Sequence, residues 1–154
     1  MLFRSAEIAA AFAREGAAVV VTGRDRERGD AVVARIVTAG GQAAFFAADL
    51  RDEDECRRLI DAAATQLGGL TVLVNNATGA TGAAPVASTR TEEWDAVLRL
   101  DLTAPMWCAR AAIPHMRAAG HGSIVNISSR QAERPSAGLA AYVDRKSTRL
   151  NSSH

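Results

Sequence analysis

The stretch AAVVVTGRDRERGDAVVARIVTAGGQAAFFAAD (residues 17–49) combines two kinds of pattern. Residues 17–22 and 43–49 are short apolar runs without polar–apolar alternation, which is typical of a strand covered on both faces. The segment between them carries apolar residues at helical spacing, and Gly40 and Gly41 end this helix. The stretch therefore predicts a strand, a helix and a second strand that runs parallel to the first.

The same rhythm continues on both sides of this stretch. Before it, Ile8, Ala9, Phe12 and Ala13 share one face of a helix that ends at Gly16. After it, helices are predicted at 52–68, at about 91–118 and from about 138, and strands at 70–74 and 122–128. Strands without alternation, each separated by a helix, require a parallel sheet covered on both faces. The predicted fold is α/β with a doubly wound parallel sheet.

Composition excludes several classes of protein. The 154 residues, 48% of them hydrophobic, suit one globular domain, and a net charge of +1 favours neither nucleic acid nor a membrane surface as a partner. Charges interrupt the apolar stretch at residues 1–16, so neither a signal peptide nor a membrane span is expected. Cys56 and Cys108 are interpreted as buried thiols of a cytoplasmic protein. His115 and His121 are expected to be solvated, and no metal site is predicted.

Polar residues follow each predicted strand, where open α/β sheets bind their ligands. They are Arg24, Asp49, the pair Asn75 and Asn76, and the pair Ser128 and Ser129. By itself, each has an ordinary alternative as a solvated arginine, a helix-capping aspartate, a turn asparagine or a loop serine. A functional interpretation of the arginine is contact with an adenosine 2′-phosphate, since an acid at that place prefers the free 2′-hydroxyl of NAD. Position alone leaves both interpretations open.

Taken together, these residues carry a resemblance. LVNNA (73–77), GSIVNISS (122–129), a tyrosine thirteen residues after Ser129 and a lysine four residues after Tyr142 resemble the short-chain dehydrogenase/reductase family. The similarity runs from about residue 6 to residue 143. It implies an incomplete Rossmann-type sheet, and it makes the segment 91–118 similar to the long interface helix of the family. A complete protein is therefore expected to form a homotetramer or dimer.

The resemblance also implies a set of site residues. Ser129 would orient and polarise a substrate carbonyl, Tyr142 would donate or take the proton, and Lys146 would lower the tyrosine pKa and hold the nicotinamide ribose. The residues that it places at the cofactor are Arg24, Asp49, Leu50, Asn76, Ala77, Tyr142 and Lys146. Because residue 23 is glycine and Arg24 follows it, NADP (NADPH) is the predicted cofactor and NAD the less favoured one.

The implied chemistry suits these residue types. Hydride reduction of a carbonyl leaves an alkoxide that needs a proton, and a phenol of pKa ~10 transfers it poorly unless it is tuned. A lysine at position i+4 lies on the same helical face as Tyr142, and its charge favours the phenolate. For an isolated tyrosine, a place at the edge of the core would be the simpler interpretation.

The sequence departs from the family pattern at four places. The Gly-rich loop and the strand before it are absent, and so is the region after the tyrosine helix. Thr78 stands where the family has glycine, and Asp101 stands where it has the asparagine of a proton relay. In the doubly wound order 3-2-1-4-5-6, the absent first strand is central. Two half-sheets without a shared neighbour are expected, and the chain by itself is expected to be molten or aggregation-prone and inactive.

The end of the chain has a separate interpretation. Residues 144–154, DRKSTRLNSSH, resemble one reading frame of a common sequencing-library adapter, and the apolar helical pattern stops at Val143. On that account the family domain is 1–143, the tail is not native, and Lys146 completes its motif by coincidence. The alternative is a genuine polar helix end.

Three functions remain open from the sequence. The favoured one is an NADP-dependent oxidoreductase acting on a small-molecule carbonyl or alcohol. The second is a degenerate family member that binds a nucleotide without catalysis, which Thr78 and Asp101 would suit. The third is a non-functional truncation. The sequence does not identify the substrate.

Overall fold

The computed structural model of the chain describes residues 3–79 and 85–129. Helices and strands alternate along it up to the third strand, and two consecutive helices precede the last strand. The helices are α1 (Phe3–Arg14), α2 (Arg26–Thr38), α3 (Glu53–Leu67), α4 (Thr91–Leu98) and α5 (Ala104–Ala118), and the strands are β1 (Ala18–Gly23), β2 (Gln42–Ala47), β3 (Val72–Asn75) and β4 (Ser123–Asn126). A short 3-10 turn covers Val86–Ser88. The helix predicted from about residue 138 lies outside the described residues.

The strands form two separate parallel pairs. β1 pairs with β2 in a register that runs from Ala18 opposite Gln42 to Gly23 opposite Ala47. β3 pairs with β4 from Val72 opposite Ser123 to Asn75 opposite Asn126. Within the described residues, the two pairs share no strand. The predicted α/β fold with parallel strands and the predicted division into two half-sheets are both confirmed.

Side-chain caps fix where α2 and α3 begin. The Asp25 carboxylate accepts a hydrogen bond from the Arg28 N–H (3.1 Å), and the Asp52 carboxylate accepts one from the Glu55 N–H (2.9 Å). Such caps satisfy N–H groups that the first turn leaves without an intrahelical partner. α3 ends at Gly68, whose φ of 67° is left-handed and suits a residue without Cβ.

Each strand pair has its own hydrophobic core. On the first pair, α1 and α2 bury Ala9, Ala13 and Ile36 against Val19 and Val21 of β1. On the second, α3 and α5 bury a larger cluster that contacts β3 and β4. Its buried members are Cys56, Ile60, Ala64, Leu70, Ala104, Cys108, Ala112 and Met116. The two cysteines are free and buried, as predicted.

The strands are less buried than the sequence predicts. Apolar runs without alternation indicate burial on both faces, yet among the strand residues only Asn75 is buried. Val72 is 37% exposed and Val125 is 38% exposed. The physical reason is that each sheet has two strands in the described part of the chain, so each of these strands is paired along one edge and not along the other.

The helix predicted at 91–118 is interrupted. Five residues, Arg99–Thr103, form a π-helical turn between α4 and α5. Pro105 follows this turn and has no N–H to donate to the carbonyl four residues earlier, which disfavours regular α-helical bonding there. The turn places the Asp101 side chain, which has no exposed surface, in the interior.

Charged contacts join α3 to α5. His115 Nε2 lies 2.8 Å from Asp61 Oδ1, and an Arg110 guanidinium nitrogen contacts a Glu53 carboxylate oxygen. The prediction that His115 is solvated is therefore confirmed only in part, because α5 turns the imidazole toward α3 and leaves 33% of the side chain exposed.

Among the described residues, no helix has the length and apolar character that crossing a bilayer requires.

Candidate functional site

Polar residues gather where the strands end. The registers place Gly23 level with Ala47, and Asn75 level with Asn126, at the carboxyl ends of the two pairs. Past these ends the pairing continues by one bond each, from the Ala48 N–H to the Gly23 carbonyl (3.1 Å) and from the Ile127 N–H to the Asn75 carbonyl (3.0 Å). The predicted site residues that the structure describes follow these ends directly.

Asp49 is held as a carboxylate just after β2. Arg51 donates to it from Nε (2.9 Å to Oδ1) and from its backbone N–H (3.1 Å to Oδ1), and its Nη2 contacts Oδ2. The side-chain hydrogen bonds from Arg51 are the main reason why the Asp49 pKa falls from the usual 3.8 to about 2. Partial burial opposes this shift, and the Arg51 backbone bond and the charges of Arg51 and Arg24 reinforce it.

Arg24 is an exposed cation at this edge. It follows the last residue of β1, and its charge contributes to the lowered pKa of Asp49, so the structure brings these two predicted residues together. Its neighbour Asp25 caps α2, so that the N-terminus of α2 opens beside Arg24. A helix N-terminus and a guanidinium both favour an anion, whereas the Asp25 carboxylate opposes one.

Leu50 and Ala77 line a cavity of about 540 Å³ that also touches β1 and β3. Leu50 packs partly against the α3–α5 core, and its carbonyl accepts a hydrogen bond from the Cys56 thiol (3.3 Å). Arg24 and Asp49 do not line this cavity. The predicted cofactor residues therefore divide into a charged group on the β1–β2 pair and an uncharged group around the cavity.

The two asparagines of LVNNA have different roles. Asn75 is 8% exposed, and its amide Nδ2 donates to Asn126 Oδ1 (2.9 Å), which joins the ends of β3 and β4. Asn76 also lines the cavity, and its amide donates to the Ser5 hydroxyl of α1. Asn75 is thus a structural residue between strands, whereas Asn76 connects the end of β3 to the beginning of α1.

Asp101 anchors the loop after β3. Its carboxylate accepts from the Gly79 N–H (3.1 Å) and from the Thr78 hydroxyl (3.3 Å). The two departures from the family pattern, Thr78 and Asp101, are therefore direct contacts of each other. When the sequence alone is compared with the family pattern, the two residues are separate changes 23 positions apart, and their contact is not visible.

The proposed proton-transfer residues are only partly described. Ser129 lies three residues past the end of β4 and is partly buried. Tyr142 and Lys146 lie outside the described residues. The structure thus places Ser129 at the same sheet edge as Asn76, and the rest of the set stays a prediction.

Sequence reasoning missed two residues of this edge. Ser5 and Asn126 receive no role from the motifs, yet their side chains bond Asn76 and Asn75. Asn126 had a detectable signal, because a polar residue within the apolar run of β4 needs a partner if it is near the core. The sequence carried no signal for Ser5, since its partner Asn76 is 71 residues away.

Comparison with known proteins agrees with this geometry. The sequence profile described as short chain dehydrogenase matches residues 5–148. The chain belongs to the short-chain dehydrogenase family. The resemblance deduced from LVNNA, GSIVNISS and the tyrosine–lysine spacing is therefore confirmed.

Curated members of the short-chain dehydrogenase family are similar over most of this chain. A 4-formylbenzenesulfonate dehydrogenase from Comamonas testosteroni is 36% identical over 146 residues, which cover 95% of this chain and 58% of that protein. A cis-4-hydroxycyclohexanecarboxylate dehydrogenase from Sinomonas cyclohexanicum is 42% identical over 117 residues, which cover 76% of this chain and 47% of that protein. The chain spans about half the length of these relatives.

A solved structure agrees with the fold. The crystal structure of a metagenomic short-chain oxidoreductase in complex with NADP superposes with a TM-score of 0.86 at 40% sequence identity. The match covers 92% of this chain and 64% of the other. The parallel strand pairs and the helices packed on them therefore form part of the Rossmann-type fold of short-chain dehydrogenases.

Proposed function

We propose that the complete protein is an NADP-dependent oxidoreductase that transfers hydride between nicotinamide and a small-molecule carbonyl or alcohol. Membership of the short-chain dehydrogenase family is the observation that carries this proposal. The names of the two curated relatives, both dehydrogenases, and the NADP in the solved neighbour support it. Because the chain spans about half of its relatives, the proposal concerns the complete protein.

Arg24 supports NADP as the preferred cofactor. Its guanidinium is exposed directly after β1, and residue 23 is glycine, so that position supplies no acid to repel a 2′-phosphate. The N-terminus of α2 adds N–H groups beside it. The described residues therefore fit the adenosine-phosphate end of the cofactor, with Asp49, Leu50, Asn76 and Ala77 as further candidates along the same edge.

Ser129, Tyr142 and Lys146 are the proposed proton-transfer residues. When bound, the nicotinamide supplies or accepts the hydride. Ser129 donates a hydrogen bond to the substrate oxygen, and Tyr142 gives its proton to the alkoxide as it forms. Lys146 stabilises the resulting phenolate, because an opposite charge nearby favours the ionised form of an acid.

Kinetics of the complete protein test this function. We expect NADPH to be preferred over NADH, and Tyr142→Phe to lower kcat by about 10²–10⁴-fold, the usual contribution of a positioned acid–base group. Ring alcohols and aromatic aldehydes are a suitable first panel of substrates, since the compounds in the names of the two relatives belong to these classes. Full activity of Tyr142→Phe would exclude the proposed role of the tyrosine.

The cofactor preference has its own matched control. Arg24→Ala should raise the KM for NADPH and leave the KM for NADH unchanged, because only NADPH carries the 2′-phosphate. Arg28→Ala is the control, since Arg28 lies nearby on α2 but pairs with Asp25 (3.0 Å). Equal or better use of NADH by the parent protein would contradict the preference.

A second function is favoured by one observation. Asp101, at the place of the relay asparagine, is buried and bonded to the loop after β3. A member of the family with this change can bind the nucleotide without catalysis. Saturable NADPH binding with no turnover on the substrate panel would support this function against the first.

We also propose that the complete protein is a homo-oligomer that associates through α4 and α5. On α5, Met106 is 48% exposed and Ile113 is 40% exposed. They are seven residues apart and therefore lie on one side of the helix. Sedimentation of the complete protein tests this, and a monomer at micromolar concentration would contradict it.

A further inference from the structure

Asp101 is a buried carboxylate that takes no part in the proton transfer proposed above. Its side chain has no exposed surface, and it belongs to the π-helical turn Arg99–Thr103. Burial removes the hydration of a charged group, so a carboxylate in such a place needs hydrogen-bond donors aimed at its oxygens. The loop after β3 supplies two of them.

The two oxygens of the Asp101 carboxylate bond consecutive residues of that loop. Oδ1 accepts from the Gly79 N–H (3.1 Å), and Oδ2 accepts from the Thr78 hydroxyl (3.3 Å). Acceptance at both oxygens is the pattern of an ionised carboxylate, and bonds to an ionised acceptor are stronger than neutral ones. Most residues at position 79 would supply an N–H, whereas the second donor requires a short hydroxyl side chain at position 78.

The Thr78 hydroxyl has two acceptors within reach. Its oxygen lies 3.3 Å from Asp101 Oδ2 and 3.5 Å from the Gly79 carbonyl oxygen. A hydroxyl has one proton to donate, and the carboxylate is the stronger acceptor. An asparagine at position 101 would instead turn a neutral amide N–H₂ toward one of its two partners. The hydroxyl at position 78 and the charge at position 101 therefore suit each other.

The loop of residues 76–79 is held on both sides of Ala77. Before it, the Asn76 amide donates to the Ser5 hydroxyl of α1, and after it the next two residues bond Asp101. Ala77 itself is exposed. It lies just past the carboxyl end of β3, where open α/β sheets bind their ligands. A segment that is already fixed in its binding conformation loses less conformational freedom when a ligand binds.

We propose that Thr78 and Asp101 act as one positioning pair for the nicotinamide cofactor, in which the Thr78 hydroxyl fits the loop 76–79 to the charged residue 101. This inference rests on the proposed function, and it concerns how the loop is held and not which group transfers the proton. The two departures from the family pattern are then one compensated change, because replacing either residue removes the bond that suits the other.

A double-mutant cycle in the complete protein tests the pair. Thr78→Val removes the hydroxyl and keeps the branched shape of the side chain, and Thr78→Ser is the matched control that keeps the hydroxyl. Both variants are also made together with Asp101→Asn. Fluorescence titration measures the Kd for NADPH, and NMR measures hydrogen exchange of the Gly79 amide without the cofactor. If Thr78→Val does not fold, Thr78→Ala takes its place in the cycle.

We expect Thr78→Val to weaken NADPH binding and to speed exchange of the Gly79 amide by about tenfold each, the usual effect of losing a hydrogen bond to a charged group. Thr78→Ser should stay within about twofold of the parent, because it keeps the same bond. In the Asp101→Asn background, Thr78→Val should cost less than about threefold, because the bond that it removes is a neutral one.

Equal losses from Thr78→Val in both backgrounds would overturn the inference, because Thr78 would then act independently of Asp101. Equal effects of Thr78→Val and Thr78→Ser, or a Gly79 amide that exchanges at the parent rate in Thr78→Val, would also overturn it. These outcomes leave NADPH binding by the parent intact, and so they contradict this inference alone. A parent that binds no NADPH would instead overturn the proposed function, and the cofactor role of the pair with it.

Discussion

Asp49 and Arg51 show how neighbouring residues define an electrostatic site. Two residues apart, they form an ion pair at the end of β2, in which the arginine contacts both carboxylate oxygens. The sequence identifies Asp49 by its position after a strand. The structure shows that Arg51, which is not among the predicted site residues, keeps this carboxylate ionised by lowering its pKa.

The Asp49 pKa leads to a prediction about pH. Because the pKa is about 2 in the folded state and 3.8 usually, the folded chain binds fewer protons in that range. The stabilisation from Asp49 is therefore complete above about pH 4 and is lost as the pH falls through 2. Carbon-13 NMR of the Asp49 carboxyl group in the complete protein should give a midpoint near 2, and Arg51→Gln should move it toward 3.8.

Arg28→Gln is the control for this titration. Arg28 pairs with Asp25, so its removal should leave the Asp49 midpoint unchanged. A parent midpoint near 3.8, or no change in Arg51→Gln, would mean that the ion pair does not form in solution.

Asp101 supports a prediction about stability. Asp101→Leu should remove the acceptor of the part-buried Gly79 N–H and one acceptor of the Thr78 hydroxyl, at a total cost of about 1–3 kcal/mol. Asp101→Asn keeps one acceptor oxygen and should cost less. Chemical unfolding of the complete protein measures both. An Asp101→Leu variant as stable as the parent would show that the loop does not depend on this carboxylate.

At the scale of elements, α2 and β2 meet through a glycine. Gly29 is buried within α2, and a Cβ built on it would lie 2.2 Å from ring carbons of Phe45 in β2. Glycine in a helix interior is unfavourable by roughly 1 kcal/mol relative to alanine. The close approach of the Phe45 ring is the physical reason for a glycine at this place.

Gly29→Ala should therefore destabilise the protein in spite of its better helix propensity. We expect the complete protein to lose about 1–3 kcal/mol in the free energy of unfolding, measured by chemical denaturation, which is the usual cost of overpacking. Asp30→Ala, at an exposed position of the same helix, should change it by less than about 0.5 kcal/mol. The double variant Gly29→Ala with Phe45→Leu should recover part of the loss. A Gly29→Ala variant more stable than the parent would show that the ring moves aside freely.

At the scale of the whole molecule, the strands in the described ranges form two half-sheets with separate cores. A two-stranded sheet is marginal by itself, and an open edge favours association with other chains. The helices cover part of the apolar surface, but the strands between them stay partly exposed.

We therefore predict that the 154-residue chain unfolds over a broad temperature range, aggregates, and binds no NADPH. Calorimetry, light scattering and NADPH titration measure these three properties. A cooperative melt together with saturable NADPH binding by the chain alone would contradict the prediction.

The positions of the candidate site residues at the strand ends were predictable from local sequence. Arg24, Asp49, Asn76 and Ser129 follow apolar runs, and the carboxyl end of a strand is a position that the chain order defines. What each residue contacts was less predictable, since Asn76 bonds a serine 71 positions away. Contacts across that distance depend on how α1 packs, and no local pattern records it.

The sequence by itself determined the element order, the parallel pairing and the family, because hydrophobic periodicity and short motifs are local properties. Only the tertiary structure decided which residues are buried, how Asp101 and Thr78 contact each other, and why Gly29 is a glycine. It also showed that apolar strands such as β3 and β4 stay partly exposed. A strand is fully buried only when a neighbouring strand lies on each side of it, and the residues of the strand itself do not indicate whether those neighbouring strands are present.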